Sequence, residues 1–414
     1  MDLRDVPLEW YCEMSEGASE FSGFMLRGLY AAHIKRLFES FPVVALVGPR
    51  QCGKTTLALE IGAAENPVFE ENRFDLESPS SRARLENPEQ ALGPLRGLVV
   101  IDEIQHQPDL FPLLRVLADR PGTPARFLIL GSASPWLIKG VSESLAGRVA
   151  MVEMGGFDLT ETGSDQWRNL WLRGGFPRSY LASSDAASFE WREQFVQTFL
   201  TLDLPQLGIT IPPPQMRRFW IMMAHYHAQT WNSSEIAGSL GISDKTARHY
   251  LDILTGAFMV RQLLPWTENV GKRLRRAPKV YLRDSGIFHS LMGMPGWVAL
   301  ESNPKLGASW EGFALEQTLR AWNVPNGEAF YWSVHNGPEM DLLLFRGGKR
   351  IGVEFKFADA PVATRSMQAA KELLHLDRVI VIYPGTARYP MGDEIEALPI
   401  AAMAANPPEA LTAA

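Results

Sequence analysis

Residues 43–57 read VVALVGPRQCGKTTL, and this stretch decides the fold. Gly48-Pro49-Arg50-Gln51-Cys52-Gly53-Lys54-Thr55 satisfies every fixed position of G-x-x-x-x-G-K-[ST]. The apolar run before it predicts a buried strand, and the segment after Lys54 (TTLALEIGAA) predicts a helix. A glycine-rich turn aims consecutive backbone N–H groups at phosphate oxygens, and the helix N-terminus adds a favourable dipole. Lys54 is expected to reach the β- and γ-phosphates and the Thr55 hydroxyl to ligate magnesium, with Thr56 completing the nucleotide-binding run 48–56.

Further strands carry the chemistry expected of such a loop. GLVVIDEIQ (97–105) is an apolar strand ending in Asp102-Glu103. One carboxylate there must hold the magnesium and the next must orient and deprotonate the attacking water. Asp102 suits the first role and Glu103 the second. The strand at 127–130 runs into Gly131-Ser132, where a hydroxyl can touch the γ-phosphate or the lytic water; a helix-capping serine is the plainer reading. In SLAGR (144–148), Arg148 is a candidate to stabilise transition-state charge in a neighbouring active site, which implies a homo-oligomer; a surface ion pair is the alternative. Strands alternating with helices predict an α/β domain with a parallel sheet covered on both faces.

The order LVGPRQCGKTTLA, VVIDEIQ, LILGSAS, SLAGR and GGFP (174–177) is similar to a family of bacterial and archaeal ATPases. In these an AAA-type domain is joined to a C-terminal domain of unknown function. The likeness covers about residues 25–395. It implies binding of ATP and ADP with Mg2+, with the P-loop, acidic strand end and SLAGR arginine falling on the residues named above.

The chain has 414 residues, which is too long for one compact core. The expected divisions are an extension over 1–24, an AAA-type ATPase domain over 25–160, a helical lid over 161–225, a winged-helix region over 226–290, a nuclease-like α/β domain over 291–400 and a tail over 401–414. No apolar run reaches the ~20 residues of a membrane span. The start lacks a secretory pattern and the two cysteines are far apart, so a cytoplasmic location and no membrane partner are expected. The net charge of −7 argues against a general polyanion binder, so any DNA contact must use a local basic surface.

Two such features stand in the second half. SSEIAGSLGISDKTARHYLDIL (233–254) has the helix-turn-helix pattern. Ser233 or Ser234 is expected to cap the first helix, Gly241 to make the turn and Ser243 to cap the second. Lys245, Arg248 and His249 would face outward, suited to phosphates or guanine edges. Residues 258–264 and 279–282 would be wing strands, with the basic run Lys272, Arg273, Arg275 and Arg276 between them. A protein-docking role is the alternative to DNA.

Residues 339–357 predict a β-hairpin turning at Gly347-Gly348. Pairs whose numbers sum to 695 then oppose each other, which sets Asp341 across from Glu354, with Lys356 nearby. Facing carboxylates repel by up to ~1 kcal/mol unless a cation lies between them. This D…E-x-K pattern resembles the restriction-endonuclease-like (PD-(D/E)xK) fold, whose acids bind magnesium and whose lysine activates water. Glu311, on the preceding helix, matches that fold's usual additional glutamate. A satisfied salt bridge on an inherited fold is the other reading.

Three functions follow as expectations. The first is Mg-dependent ATP hydrolysis that moves the winged-helix and nuclease-like half on DNA. The second is a nucleotide-switched binding module with negligible turnover. The third is an ATP-regulated, metal-dependent nuclease.

Overall fold

The computed structural model describes residues 27–65, 69–122, 124–132, 144–267 and 277–405. The chain forms two compact units, the first running to Gly155 and including Gly256–Phe258, the second made of 156–255 and the residues from Met259 on. The 1–24 extension and the 401–414 tail beyond residue 405 lie outside the described residues.

The first unit is built on β1 (Val43–Gly48), β2 (Arg73–Asp75), β3 (Leu98–Asp102), β4 (Arg126–Ser132) and β5 (Val149–Glu153). They form a parallel sheet in the order β2-β3-β4-β1-β5. All six residues of β1 are buried, as expected for a strand covered on both faces. Val43, Ala45 and Val47 pack with Leu110, Phe111, Leu114 and Leu117 of α3 (Leu110–Ala118). Val44 and Leu46 face the other way, towards Ile34 of α1 (Gly28–Leu37) and Leu57, Ala58 and Ile61 of α2 (Lys54–Glu65). The alternation of strand side chains thus places helices on both sheet faces and all five strand C-termini at one edge.

The second unit holds a sheet ordered β13-β14-β12-β11-β10-β9-β7-β8-β6. Its members are β6 (Gln229–Thr230), β7 (Val260–Pro265), β8 (Lys279–Leu282), β9 (Ala329–Ser333), β10 (Glu339–Arg346), β11 (Lys349–Phe355), β12 (Arg378–Tyr383), β13 (Tyr389–Gly392) and β14 (Ile395–Pro399). The β10–β11 hairpin has the expected register, with Leu342 opposite Val353 and Arg346 opposite Lys349. Gly347 and Gly348 both take positive φ, which a two-residue turn of this hand requires. Against β9, however, β10 slips by one residue between Met340 and Leu343. That bulge was not legible in the hydrophobic alternation.

The helices expected as a lid on the ATPase domain pack instead into the second unit. Their contacts explain this. The backbone N–H of Leu159 donates to Gln317 Oε1 at 2.9 Å, and the Trp171 indole donates to Ser309 Oγ at 2.9 Å. Arg192, on α4 (Asp185–Thr198), is wholly buried and donates to the carbonyls of Leu172 (3.1 Å) and Gly286 (2.8 Å). Gly174 takes φ +77°, and a Cβ there would lie 2.2 Å from Asp284 Oδ1, so the Gly174-Gly175 turn needs glycine to close on that carboxylate.

Candidate nucleotide site and two further clusters

The 48–55 loop leaves the end of β1 and enters α2. Gly48 is required by packing, since a Cβ would meet the Met154 carbonyl oxygen at 2.0 Å. Gln51 (φ +61°) and Gly53 (φ +98°) give the loop its curl. Cys52 is buried and its thiol donates to Met154 O at 3.5 Å. Lys54 is 6% exposed, and its ammonium donates to Gly48 O (3.1 Å) and Pro49 O (2.8 Å). Its charge is thereby held over the concavity of the loop. Thr55 and Thr56 are exposed at the start of α2. Arg50 lies 3.7 Å from Glu77.

Asp102, at the C-terminal end of β3, is 5% exposed. Its Oδ2 accepts from the Thr55 hydroxyl at 2.7 Å and its Oδ1 from the Glu103 N–H at 2.9 Å. Burial pushes its carboxyl above the usual range, while the Thr55 hydrogen bond opposes that. A hydroxyl and a carboxylate oxygen beside a phosphate-binding loop are the hard donors magnesium prefers, so the pair fits that ion. Glu103 takes a left-handed backbone (φ +53°), and its carboxylate accepts from the Gln105 amide. A non-glycine residue there stores ~1 kcal/mol or more, a cost typical of functional positions. Ser132 ends β4 in register with Gly48. Arg148 pairs within its own chain: its Nε and Nη2 each donate to Asp119 at 2.7 Å, on a partly exposed surface.

Sequence reading missed Arg27. It is 4% exposed and donates to Cys52 O (3.0 Å) and Gly155 O (2.9 Å), bracing the loop from behind. Its only signal was its place in the basic segment before β1.

In the second unit, α6 (Ser233–Leu240) and α7 (Asp244–Gly256) are joined through Gly241 in the left-handed conformation. Asn232 caps α6 rather than either serine, accepting from Glu235 N at 3.3 Å. Ser234 instead donates to Asp244 Oδ2 at 2.7 Å, tying the two helices together. Ser243 caps α7 as expected, accepting from Thr246 N at 3.1 Å. Ile236, Ala237, Ala247, Leu251 and Leu254 are buried, and Lys245, Arg248 and His249 are exposed. β7 and β8, which cover the two stretches expected as strands around 258–264 and 279–282, pair antiparallel. Lys272, Arg273, Arg275 and Arg276 lie outside the described residues.

The hairpin carboxylates do meet Glu311, on α8 (Leu306–Ala321). Asp341 and Glu354 are each 4% exposed. Lys279 Nζ lies 3.4 Å from both Glu311 Oε1 and Asp341 Oδ1, and Lys356 Nζ lies 2.7 Å from Glu354 Oε2. The Tyr281 hydroxyl donates to Glu311 Oε1 at 2.7 Å, and the Phe355 N–H to Asp341 Oδ2 at 3.2 Å. Burial, and secondarily the Asp341 charge, raises the carboxyls of both Glu311 and Glu354. Lys279 and Tyr281 were missed, because both sit in β8, far from the hairpin in sequence. Five residues beyond Glu311, Glu316 serves a separate cluster, ion-paired with Arg261, Arg283 and Arg320.

A parallel sheet carrying this loop at the end of its interior β1 strand, with an acidic pair ending β3, defines a P-loop ATPase domain. Residues 40–163 match the model described as an AAA domain. Residues 164–297 and 306–403 match two domains of unknown function, DUF8612 and DUF4143. Over 369 residues the chain is 50% identical to the uncharacterized protein Rv2008c of Mycobacterium tuberculosis (strain ATCC 25618 / H37Rv), covering 89% of this chain and 82% of that one. The same figures hold for the uncharacterized protein Mb2031c of Mycobacterium bovis (strain ATCC BAA-935 / AF2122/97). The chain belongs to the family of these two mycobacterial proteins. Among solved structures it is similar to the Walker-type ATPase PABY2304 of Pyrococcus abyssi, at 15% identity and a TM-score of 0.44 over 65% of this chain and 96% of that one. A similarity to the RuvB Holliday junction branch migration motor of Thermotoga maritima has 16% identity and a TM-score of 0.28, over 57% of this chain and 86% of that one. Among the described residues, no helix is long and apolar enough to cross a membrane.

Proposed function

We propose that this protein hydrolyses ATP with magnesium and uses nucleotide state to reposition its helix-turn-helix and C-terminal half on DNA. The observation that carries the reading is the contact between the Thr55 hydroxyl and Asp102, which joins the phosphate loop to the acidic strand end. The loop N–H groups and Lys54 bind the phosphates, and Thr55 and Asp102 hold the magnesium. When bound, that ion neutralises charge on the β- and γ-phosphate oxygens. Glu103 takes the proton of the attacking water. Arg148 would reach a neighbouring copy's phosphates only after leaving Asp119, so its role in trans requires a homo-oligomer that breaks that pair.

The exposed Lys245, Arg248 and His249 on α7 support DNA as the partner. A nucleotide-switched module of negligible turnover is favoured by one observation: the Glu103 carboxylate is engaged by Gln105. Two variants separate the readings. Lys54→Ala is expected to abolish ATP binding in calorimetry. Glu103→Gln is expected to keep ATP binding while turnover slows at least ~10-fold. Unchanged turnover in the Gln variant would remove Glu103 as the base, and undetectable turnover in the wild type would select the switch.

A further inference from the structure

Three carboxylates, from Glu311, Asp341 and Glu354, lie in one buried cluster of the second unit. Buried carboxylates at close quarters demand compensating positive charge. In a metal-dependent nuclease that charge is a divalent cation, held by oxygens at about 2.0–2.6 Å. Here the donor set does not fit that ion. Among the described residues, no group of three or more His, Cys, Asp or Glu side chains is arranged to hold a metal. Four of the six carboxylate oxygens are already engaged: Glu311 Oε1 by Tyr281 and Lys279, Asp341 Oδ1 by Lys279, Asp341 Oδ2 by the Phe355 N–H, and Glu354 Oε2 by Lys356.

Lys279 is the decisive group. Its ammonium is equidistant, at 3.4 Å, from one oxygen of each of two carboxylates, which is where a bridging cation would stand. It does not reach in from a flexible surface chain. The residue is 6% exposed and sits on β8, which is paired with β7 on one side and β6 on the other. Its Nζ also lies 5.8 Å from the centroid of the buried Tyr331 ring, a favourable place for a cation. The two strands fix its backbone, and burial confines its side chain to the cluster.

We propose that Lys279 replaces the divalent cation of this cluster, acting as a built-in counter-ion, so that the C-terminal domain keeps a nuclease-like constellation without metal-dependent cleavage. The wing strand β8 is thereby locked to α8 and β10 through charge, and the domain serves as a binding or coupling element. The inference rests on the nuclease-like reading of this domain, and it is independent of ATP turnover.

The test is titration of the nucleotide-free full chain with manganese chloride, followed by electron paramagnetic resonance. Wild type and Asp341→Asn are expected to give the same Mn2+ isotherm, because the cluster takes up no ion in either. Lys279→Met, which keeps the stem and removes the charge, is expected to bind Mn2+ at least ~10-fold more tightly than wild type. That gain should vanish in the Lys279→Met/Asp341→Asn double variant. A wild-type Mn2+ site that Asp341→Asn abolishes would overturn the proposal, as would a Lys279→Met protein with native circular dichroism and no gain. If Lys279→Met does not fold, the wild-type and Asp341→Asn comparison still decides. A parallel incubation of duplex and single-stranded DNA with Mn2+ should give identical products for wild type and Asp341→Asn; cleavage lost only in the variant would also overturn the proposal. Failure of ATP hydrolysis would leave every one of these readouts unmoved, which keeps the two readings separately testable.

Discussion

The Thr55 hydroxyl donates to Asp102 Oδ2 across 2.7 Å, linking the first turn of α2 to the end of β3. The start of α2 and the end of β3 are thereby held together at the floor of the phosphate loop. A hydrogen bond to a buried carboxylate is worth roughly 1.5–3 kcal/mol, and losing it leaves Asp102 under-satisfied.

Thr55→Ala is therefore expected to do two things. It removes the proposed magnesium ligand and lets the Asp102 carboxyl rise further, because burial is then less opposed. Magnesium-dependent ATP affinity should fall by about tenfold or more, while binding of ATP in the presence of a chelator changes much less. Fluorescent-nucleotide titrations with and without magnesium check this. Equal losses in both conditions would place Thr55 on the phosphates rather than on the ion.

Glu316 gives a prediction about pH. It is 2% exposed, and although burial opposes its ionisation, the guanidiniums of Arg261, Arg283 and Arg320 hold its carboxyl down at about 2. A carboxyl depressed from 4.5 stabilises the folded state above its unfolded value. That contribution, on the order of 3 kcal/mol, is lost as pH falls from about 4.5 towards 2. Glu316→Gln should thus destabilise the second unit by about 3–5 kcal/mol at neutral pH, with the gap from wild type narrowing below pH 4.5. Ten of the 12 tryptophans lie between residues 167 and 332, so urea unfolding followed by tryptophan fluorescence reports on that unit. A gap that stays constant from pH 7 to pH 3 would show that lost packing, not charge, sets the cost.

These two sites differ in how far the sequence exposed them. The phosphate loop and the Asp102-Glu103 strand end were legible because their chemistry is local: each group acts from a few consecutive residues at a strand terminus. The β10–β11 register was legible for a similar reason, since a two-glycine turn and apolar alternation leave one pairing that buries Leu342, Leu344, Ile351 and Val353 together. Lys279 was not. A lysine in a short strand ordinarily reads as a solvated wing residue, and only the pairing of β7 with β9 carries it to Asp341, 62 residues away. The bulge in β10 was equally hidden, because it depends on the partner strand β9 rather than on the β10 pattern. Arg192 looked like one more polar position on an aromatic helix; its burial follows from the carbonyls of Leu172 and Gly286 that converge on it. The helices after residue 155 pack with the C-terminal domain because their partners, Gln317, Ser309 and Gly286, lie more than a hundred residues downstream or close to it, beyond the reach of any local pattern.

The outward face of α7 yields the last expectation. Lys245, Arg248 and His249 are exposed on a helix whose opposite side is buried, and Arg248 also donates to Gln262 Oε1 at 3.1 Å on β7. That bond holds the guanidinium beside β7, so part of the conformational cost of docking it is already met. If this helix lies against a duplex, Arg248→Ala and Lys245→Ala should each weaken binding to unrelated sequences about equally when they contact phosphates. Each should also lower the steepness of the affinity's salt dependence by roughly one counterion. A contact with a guanine edge would behave differently, costing about 1–3 kcal/mol on a preferred sequence and little elsewhere. Fluorescence anisotropy with labelled duplexes over a salt series, with and without ATP, distinguishes the two. Wild-type anisotropy that does not respond to salt would exclude an electrostatic DNA surface and turn α7 into a protein-docking face, for which substitution of the buried Leu251 would unfold the motif while Arg248→Ala would leave DNA behaviour untouched.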